Sequence, residues 1–247
     1  RNLASSYEIR LIDDLLARNT ENGFFYAAVS GKKLGNFDLL YDPRVTEQIN
    51  VGQVAVRNER VFFDFWTSFP ARSFRNGTRQ TMGPEFTLRN FRIDATLNAD
   101  LSMRVRTRAT VEVTSNELRS LSFEISRRMR ILEARIDGQP VEVFQRESMR
   151  ANLVRGLDNE VFLVLPQTAL ERGRRSEIEF LHEGNVVSEA GNRVYYVGAR
   201  GNWYPNRALQ FTEYDLTFRY PKTLNLVATG EVAEDREEGE WRVTRRR

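Results

Sequence analysis

Cysteine is absent from the 247 residues, which removes disulfide staples, thiolate metal sites and cysteine nucleophiles together. Histidine occurs once, at position 182. A zincin-type helix needs two imidazoles four residues apart and a glutamate beside the first, so that both rings face one ion. Here His182-Glu183 runs on into Gly184-Asn185-Val186 and supplies no second ligand. A Ser-His-Asp triad would have to use the same imidazole, and no G-x-S-x-G elbow accompanies it. His182 is therefore read as a polar residue at a strand end. Phosphate cradles are missing as well: there is no G-x-x-x-x-G-K-[ST], and Gly198 and Gly201 lack a third glycine and a following helix pattern. No apolar run approaches the ~20 residues of a membrane-spanning helix, and the start RNLASSYEIR has no signal-peptide core. No transmembrane segment is expected, and the compartment stays open.

What the chain does contain is apolar and charged material in quantity. A hydrophobic content of 40% with 11% aromatics can bury a substantial core in one large or two smaller β domains. The 37 Lys+Arg oppose 34 Asp+Glu, for a net charge of +3, so two balanced populations leave little drive toward a polyanion. Basic clusters at Arg127-Arg128-Met129-Arg130, Arg172-Gly173-Arg174-Arg175 and Arg245-Arg246-Arg247 are interleaved with Glu124, Glu133, Glu171 and Glu177. No nucleic-acid partner is expected. The basic residues are mostly Arg, whose planar fork suits bidentate contacts with carboxylates. The acid pairs Asp13-Asp14 and Asp38…Asp42 are read as solvated surface groups, since most carboxylates stay in water.

Along the chain, Ser6 to Asn19 has a helical pattern, with Ile9, Ile12, Leu15 and Leu16 on one face and Ser5 or Ser6 able to cap. Short aromatic and β-branched runs follow from Gly23 to Pro70, and Val54 to Phe65 reads as a hairpin about Arg57-Asn58-Glu59-Arg60. Ser68 to Pro84 is polar and punctuated by Pro70, Gly77, Gly83 and Pro84, which predicts a connecting loop. Period-two alternation then sets in. Phe91, Ile93, Ala95 and Leu97 precede a turn at Asn98-Ala99-Asp100. The alternation resumes through Leu101, Met103, Val105, Ala109, Val111 and Val113, then through Leu121, Phe123 and Ile125. Leu132, Ala134 and Ile136 lead through Asp137-Gly138 to Val141 and Val143, the signature of a tight hairpin. Val161, Leu163, Leu165, Ile178 and Phe180 add further strands. The expected fold is mainly β, an antiparallel sandwich or saddle-like sheet with one short N-terminal helix. The expected divisions are a helical lead-in over 1–20, a small β subdomain over 21–86 and a β-sandwich over 87–247.

Trp66, Trp203, Tyr204 and Trp241 would suit a free-standing carbohydrate- or protein-binding β module if exposed, although sheet cores usually hide tryptophan. A more specific pattern lies between Gly198 and Gly230. Ala199-Arg200 is followed by Trp203-Tyr204-Pro205, then Tyr214-Asp215-Leu216-Thr217-Phe218, Pro221-Lys222, and a closing strand from Val227 to Gly230. In this order and spacing the segment resembles the end of the N-terminal β domain of M1-family zinc aminopeptidases, and the alternating strands before it extend the likeness to residues 87–247. The resemblance implies a saddle-shaped, non-catalytic β domain that packs on a downstream catalytic-like domain of the same polypeptide and lines its cleft. Zinc and peptide hydrolysis would belong to that downstream domain, with a peptide as substrate. The charged end WRVTRRR, after acidic Glu234 to Glu240, fits a domain boundary. Arg193, Tyr195, Arg200, Trp203 and Tyr204 become the candidate cleft or interdomain contacts. Two departures stand out: the turn continues Pro205-Asn206-Arg207-Ala208 instead of into acidic residues. Arg193 and Tyr195 also stand where the family tends to carry a Gln or Glu for the substrate's ammonium.

Overall fold

The computed structural model describes residues 7–17, 23–33, 35–57, 60–80, 83–145, 159–197, 202–207 and 211–247. They fall into two compact units: the first runs to Glu85, and the second comprises Phe86–Gln145 with the described residues from 159 onward. The architecture is mainly β, as the alternation requires.

The first unit contains helix α1 (Tyr7–Ala17), strands β1 (Phe25–Gly31), β2 (Gly35–Tyr41), β3 (Ile49–Arg57) and β4 (Arg60–Phe69), and a single helical turn α2 (Arg72–Arg75). The strands form an antiparallel meander in chain order. The expected hairpin is β3–β4, closed with Arg57 opposite Arg60; Asn58 and Glu59 lie outside the described residues. β4 runs through Ser68 to Phe69 and α2 follows, so only part of the expected connecting loop is irregular.

The apolar-stripe reading of α1 needs correcting. Leu15 is 77% exposed, whereas Arg10 and Asp13 are buried. The capping serines and Asn19 lie outside the described residues. What holds the inward face is charge. The Arg10 fork grips Asp42, Nε to Oδ2 at 3.3 Å and Nη2 to Oδ1 at 3.1 Å, and Nη1 reaches Asp13 at 3.3 Å. Arg44 bridges Asp13, Asp14 and Glu85 at 2.6, 3.2 and 2.6 Å. The pairs Asp13-Asp14 and Asp38…Asp42 are thus not solvated surface acids, because Asp13, Asp38 and Asp42 are all buried. Arg10 pairs with Asp13 and Asp14 at helical spacing, whereas the Asp42, Arg44 and Glu85 partners come from distant positions that spacing does not indicate.

The second unit is a two-layer sandwich. Its large sheet runs β10 (Gln139–Pro140), β9 (Met129–Ile136), β14 (Arg175–Gly184), β6 (Met103–Val113), β5 (Phe86–Leu97), β17 (Tyr214–Pro221), β19 (Trp241–Arg246), β18 (Val232–Glu238). Against it lies a three-stranded sheet of β11 (Glu142–Phe144), β12 (Asn159–Leu165) and β8 (Leu121–Ser126). Two small ribbons pair β7 (Glu117–Leu118) with β13 (Leu170–Glu171), and β15 (Val187–Gly191) with β16 (Val194–Val197). All neighbours are antiparallel except β5 and β17, which run parallel across the middle of the large sheet.

Alternation places Phe91, Ile93, Val105, Val111, Phe123, Ile125, Ile178 and Phe180 in one buried cluster between the sheets. Two bulges interrupt it. In β5 the register shifts between Arg89 and Arg92, and Asn90 adopts φ 54°. That one extra residue turns both Leu88 and Phe91 inward. In β9, Leu181 faces Glu133 and His182 faces Ile131, leaving Leu132 as the unpaired residue, 37% exposed instead of buried as its spacing suggested. Asp137 and Gly138 take φ 50° and 77°, the twin positive values of the expected tight turn. β12 is buried on both faces through Val164. The expected closing strand from Val227 to Gly230 is irregular chain. The sheet is closed instead by β18, whose residues are all exposed and largely charged, a composition that discourages further pairing at a free edge.

Candidate functional site

The aromatic turn, residues 202–207, is bound to both layers of the second unit. On the three-stranded side, the Ser126 amide donates to the Asn202 carbonyl at 2.7 Å, and Glu124 and Asn206 exchange backbone hydrogen bonds of 2.7 and 3.0 Å. The Asn159 side-chain oxygen accepts the Asn202 amide at 2.7 Å. On the other side Trp203 lies 6.0 Å from Phe218. Tyr204 meets Phe91 edge-on at 5.6 Å, and Tyr214 stacks on Phe91 at 5.2 Å. The Tyr204 and Tyr214 hydroxyls are 3.3 Å apart, and burial pushes the Tyr204 phenol well above its usual range.

Arg207, in the position where the family turn becomes acidic, lays its guanidinium 4.4 Å over the Phe86 ring. It also faces Glu124, whose carboxyl is pushed up by burial and held back by a hydrogen bond from Asn159 and by the Arg207 charge. Sequence reasoning did not single out Glu124, Asn159 and Arg207 as a group, because they are brought together by the isolated bridge at Asn206 and not by spacing. The arrangement is a clamp joining two sheets: Trp203 and Tyr204 direct their rings at the core.

Arg193 and Tyr195 sit elsewhere, on the β15–β16 hairpin. Asn192 and Arg193 form its turn with φ 52° and 59°, and Tyr195 pairs with Glu189. Arg193 is exposed and Tyr195 half-buried. Among the described residues no hydrogen bond or ring contact joins them to the aromatic turn. Arg200 lies outside the described residues. The hairpin carries Val194, Tyr196 and Val197 at 57, 43 and 40% exposure, and Arg128 ties it to the sheet through Ser188 at 3.1 Å. Beside it opens a shallow cleft of about 590 Å³ lined by Arg128, Arg130, Glu183, Gly184 and Asn185.

His182 lies two residues before the end of β14. It continues the inward row of Ile178 and Phe180 in β14 and is fully buried, with Nε2 3.0 Å from the Thr107 hydroxyl and Nδ1 unpartnered among the described residues. Burial lowers its pKa to about 3. Among the described residues no three His, Cys, Asp or Glu side chains converge in a way that could hold a metal ion. No described helix is long and apolar enough to cross a membrane.

No family model matches the chain, and no curated protein does. Solved structures do. A point mutant of an M1 zinc metallopeptidase from Deinococcus radiodurans, bound to a Tyr-Ser-Ala substrate, matches with a TM-score of 0.51 at 14% identity, over 66% of this chain and 39% of that one. This chain has a fold similar to that of M1 zinc metallopeptidases. A two-domain M1 zinc metallopeptidase mutant bound to L-arginine gives 0.51 at 14% identity, over 68% and 40%. The M1 zinc metallopeptidase from Deinococcus radiodurans gives 0.50 at 12%, over 66% and 38%. The chain thus spans about two fifths of the length of these M1 structures. At such identities the M1 likeness is one of fold.

Proposed function

We propose that this chain is a non-catalytic N-terminal β region of a larger M1 metallo-aminopeptidase-like protein, with a sandwich domain over 87–247 that packs on a downstream peptidase-like domain and lines its cleft. The observation that carries the reading is the fold likeness to M1 zinc metallopeptidases over two thirds of the chain, in a unit whose described residues assemble no catalytic constellation of their own. Zinc would be held by the downstream domain. The β15–β16 hairpin is the contact element: it leaves the sandwich as a separate ribbon and holds Val194, Tyr196 and Val197 in water, which suits a surface covered by another domain. Arg193 and Tyr195 would then face the cleft, where a cation and a phenol favour the carboxylate or carbonyl oxygens of a peptide over its ammonium. A carbohydrate- or protein-binding module working through Trp203 is less well supported, because that ring packs against Tyr204 and Phe218.

The test compares purified residues 1–247 with the polypeptide extended through the sequence that follows Arg247 in its gene. Release of amino acids from short peptides is measured with and without a chelator. The extended polypeptide is expected to carry chelator-sensitive activity and the 247-residue chain none. Hydrolysis by the 247-residue chain that survives chelation would overturn the reading.

A further inference from the structure

The four-stranded sheet of the first unit buries polar groups on one face and leaves apolar side chains partly exposed on the other. Register places Tyr26, Leu40, Asn50 and Ser68 in one row across the strands, and Ala28, Asp38, Gly52 and Phe65 in the next. On this face Asp38, Leu40, Asn50 and Phe63 are buried. Rows on the opposite face read Phe25, Tyr41, Ile49, Phe69, then Ala27, Leu39, Val51, Thr67, then Val29 with Phe37, and Gln53 with Asp64. Trp66, the extra residue where the β3–β4 register shifts, joins this face through Phe37, ring to ring at 5.8 Å. None of these apolar side chains is buried, and Phe25, Trp66 and Phe69 are 54, 47 and 40% exposed. Buried Asp38 and Asn50 thus share one face with Leu40 and Phe63, while the opposite face is mostly apolar, interrupted by Thr67, Gln53 and Asp64.

The charge at its rim indicates what would cover it. The β1–β2 and β3–β4 turns lie at the same end of the antiparallel meander. The first carries Lys32 and Lys33, both exposed. In the second, Arg57 stands opposite Arg60. Lys32 and Lys33 form no ion pair among the described residues. Asp64, opposite Gln53, is the one acid on the strands of the face itself. The exposed area of Phe25, Trp66 and Phe69 is roughly 300 Å², short of the ~800 Å² that each partner of a stable protein pair covers. A bilayer surface demands no such complementary shape. Apolar aromatic side chains enter its interfacial region, and neighbouring Lys and Arg are attracted to anionic headgroups.

We propose that this face is a docking surface for anionic lipid, laid on the bilayer through Phe25, Trp66 and Phe69 with the Lys32-Lys33 end against the headgroups. The proposal concerns the first unit and does not depend on the peptidase reading. The full chain is floated with vesicles of phosphatidylcholine alone or mixed with phosphatidylglycerol, and tryptophan fluorescence is followed with brominated phosphatidylcholine as quencher. Binding is expected to be at least tenfold tighter to the anionic vesicles. The double change Lys32→Glu, Lys33→Glu, at exposed positions, should weaken it by about tenfold or more with the urea midpoint unchanged. Quenching should disappear in Trp66→Phe, which leaves Trp203 and Trp241 as silent reporters. Absence of flotation with either vesicle would overturn the proposal. So would quenching that persists in Trp66→Phe, binding indifferent to the lysine changes, or a concentration-dependent dimer in light scattering that Phe25→Ser and Phe69→Ser abolish.

Discussion

In the second unit the largest side chains withdrawn from water are Phe86, Phe91, Phe123, Phe162 and Phe180, whereas among the described residues of the first the buried set includes Arg10, Asp13, Asp38, Asp42, Gln48 and Asn50 beside Leu40, Phe63 and Ala71. The sandwich is held by volume: four of its phenylalanines meet ring to ring about Phe123 and Phe180, at 5.0 to 5.8 Å. Such packing is non-directional, and any side chain of similar size preserves much of it. The meander is held by geometry. Two guanidiniums, Arg10 and Arg44, serve four carboxylates, Asp13, Asp14, Asp42 and Glu85, and the Asp14 carboxyl is pushed up by burial even with both cations beside it. A buried charge contributes only while its partner is in place, so this unit has little tolerance for a single substitution.

The sharpest way to break the comparison is to remove one member from each set and compare the responses. Phe123→Ala deletes a ring that touches Phe86, Phe162 and Phe180 and should cost the sandwich about 4 kcal/mol in urea unfolding; Phe123→Leu should recover most of it. Arg10→Ala leaves Asp42 and Asp13 without the cation that Arg10 supplies and should cost the meander about 3 kcal/mol. Here a residue of similar size should not rescue: Arg10→Met alone stays destabilised, and only a joint change with Asp42→Leu should restore stability. If Arg10→Met proved as benign as Phe123→Leu, the distinction between volume and geometry would collapse.

This difference also governs how much was legible beforehand. Alternation reports which side of a sheet faces a core, so the strands around Val105, Val111, Phe123 and Phe180 were readable, as was the Asp137-Gly138 turn from its dipeptide. The reading failed at Leu132, because one inserted residue reverses parity without leaving a mark in composition. It failed again over Val227 to Gly230, where a resemblance in order does not fix hydrogen bonding. The ion-pair set of the first unit was invisible for another reason. Asp13, Asp42 and Arg10 look like surface residues, and their burial follows from three-dimensional convergence across 32 positions of chain. The aromatic turn was visible as a feature, but whether Trp203 faces solvent or Phe218 is decided by the Asn202 and Asn206 bridges, which spacing does not encode.

The smallest expected effect tests one polar group that the sandwich buries, the His182 imidazole. His182 is neutral in the fold, its pKa lowered by burial from 6.5 to about 3. Between those values the unfolded chain binds a proton that the folded chain does not, so stability rises with pH across this window and is fully present above pH 6.5. It should fall by up to about 1.4 kcal/mol per pH unit on acidification, or about 2 kcal/mol by pH 5. The chain has one histidine, so no other imidazole contributes to the slope. Asp14 and Glu124 act in the opposite sense, since burial raises both carboxyls and protonation on acidification favours the folded state. Urea midpoints at pH 5.0, 6.0 and 7.0 provide the measurement, with His182→Gln as the comparison because an amide can still meet the Thr107 hydroxyl without titrating. The wild-type slope between pH 5 and 6.5 should vanish in that variant. An unchanged slope would mean that the acid sensitivity belongs to groups other than the imidazole, and that His182 is a packing residue like the phenylalanines beside it.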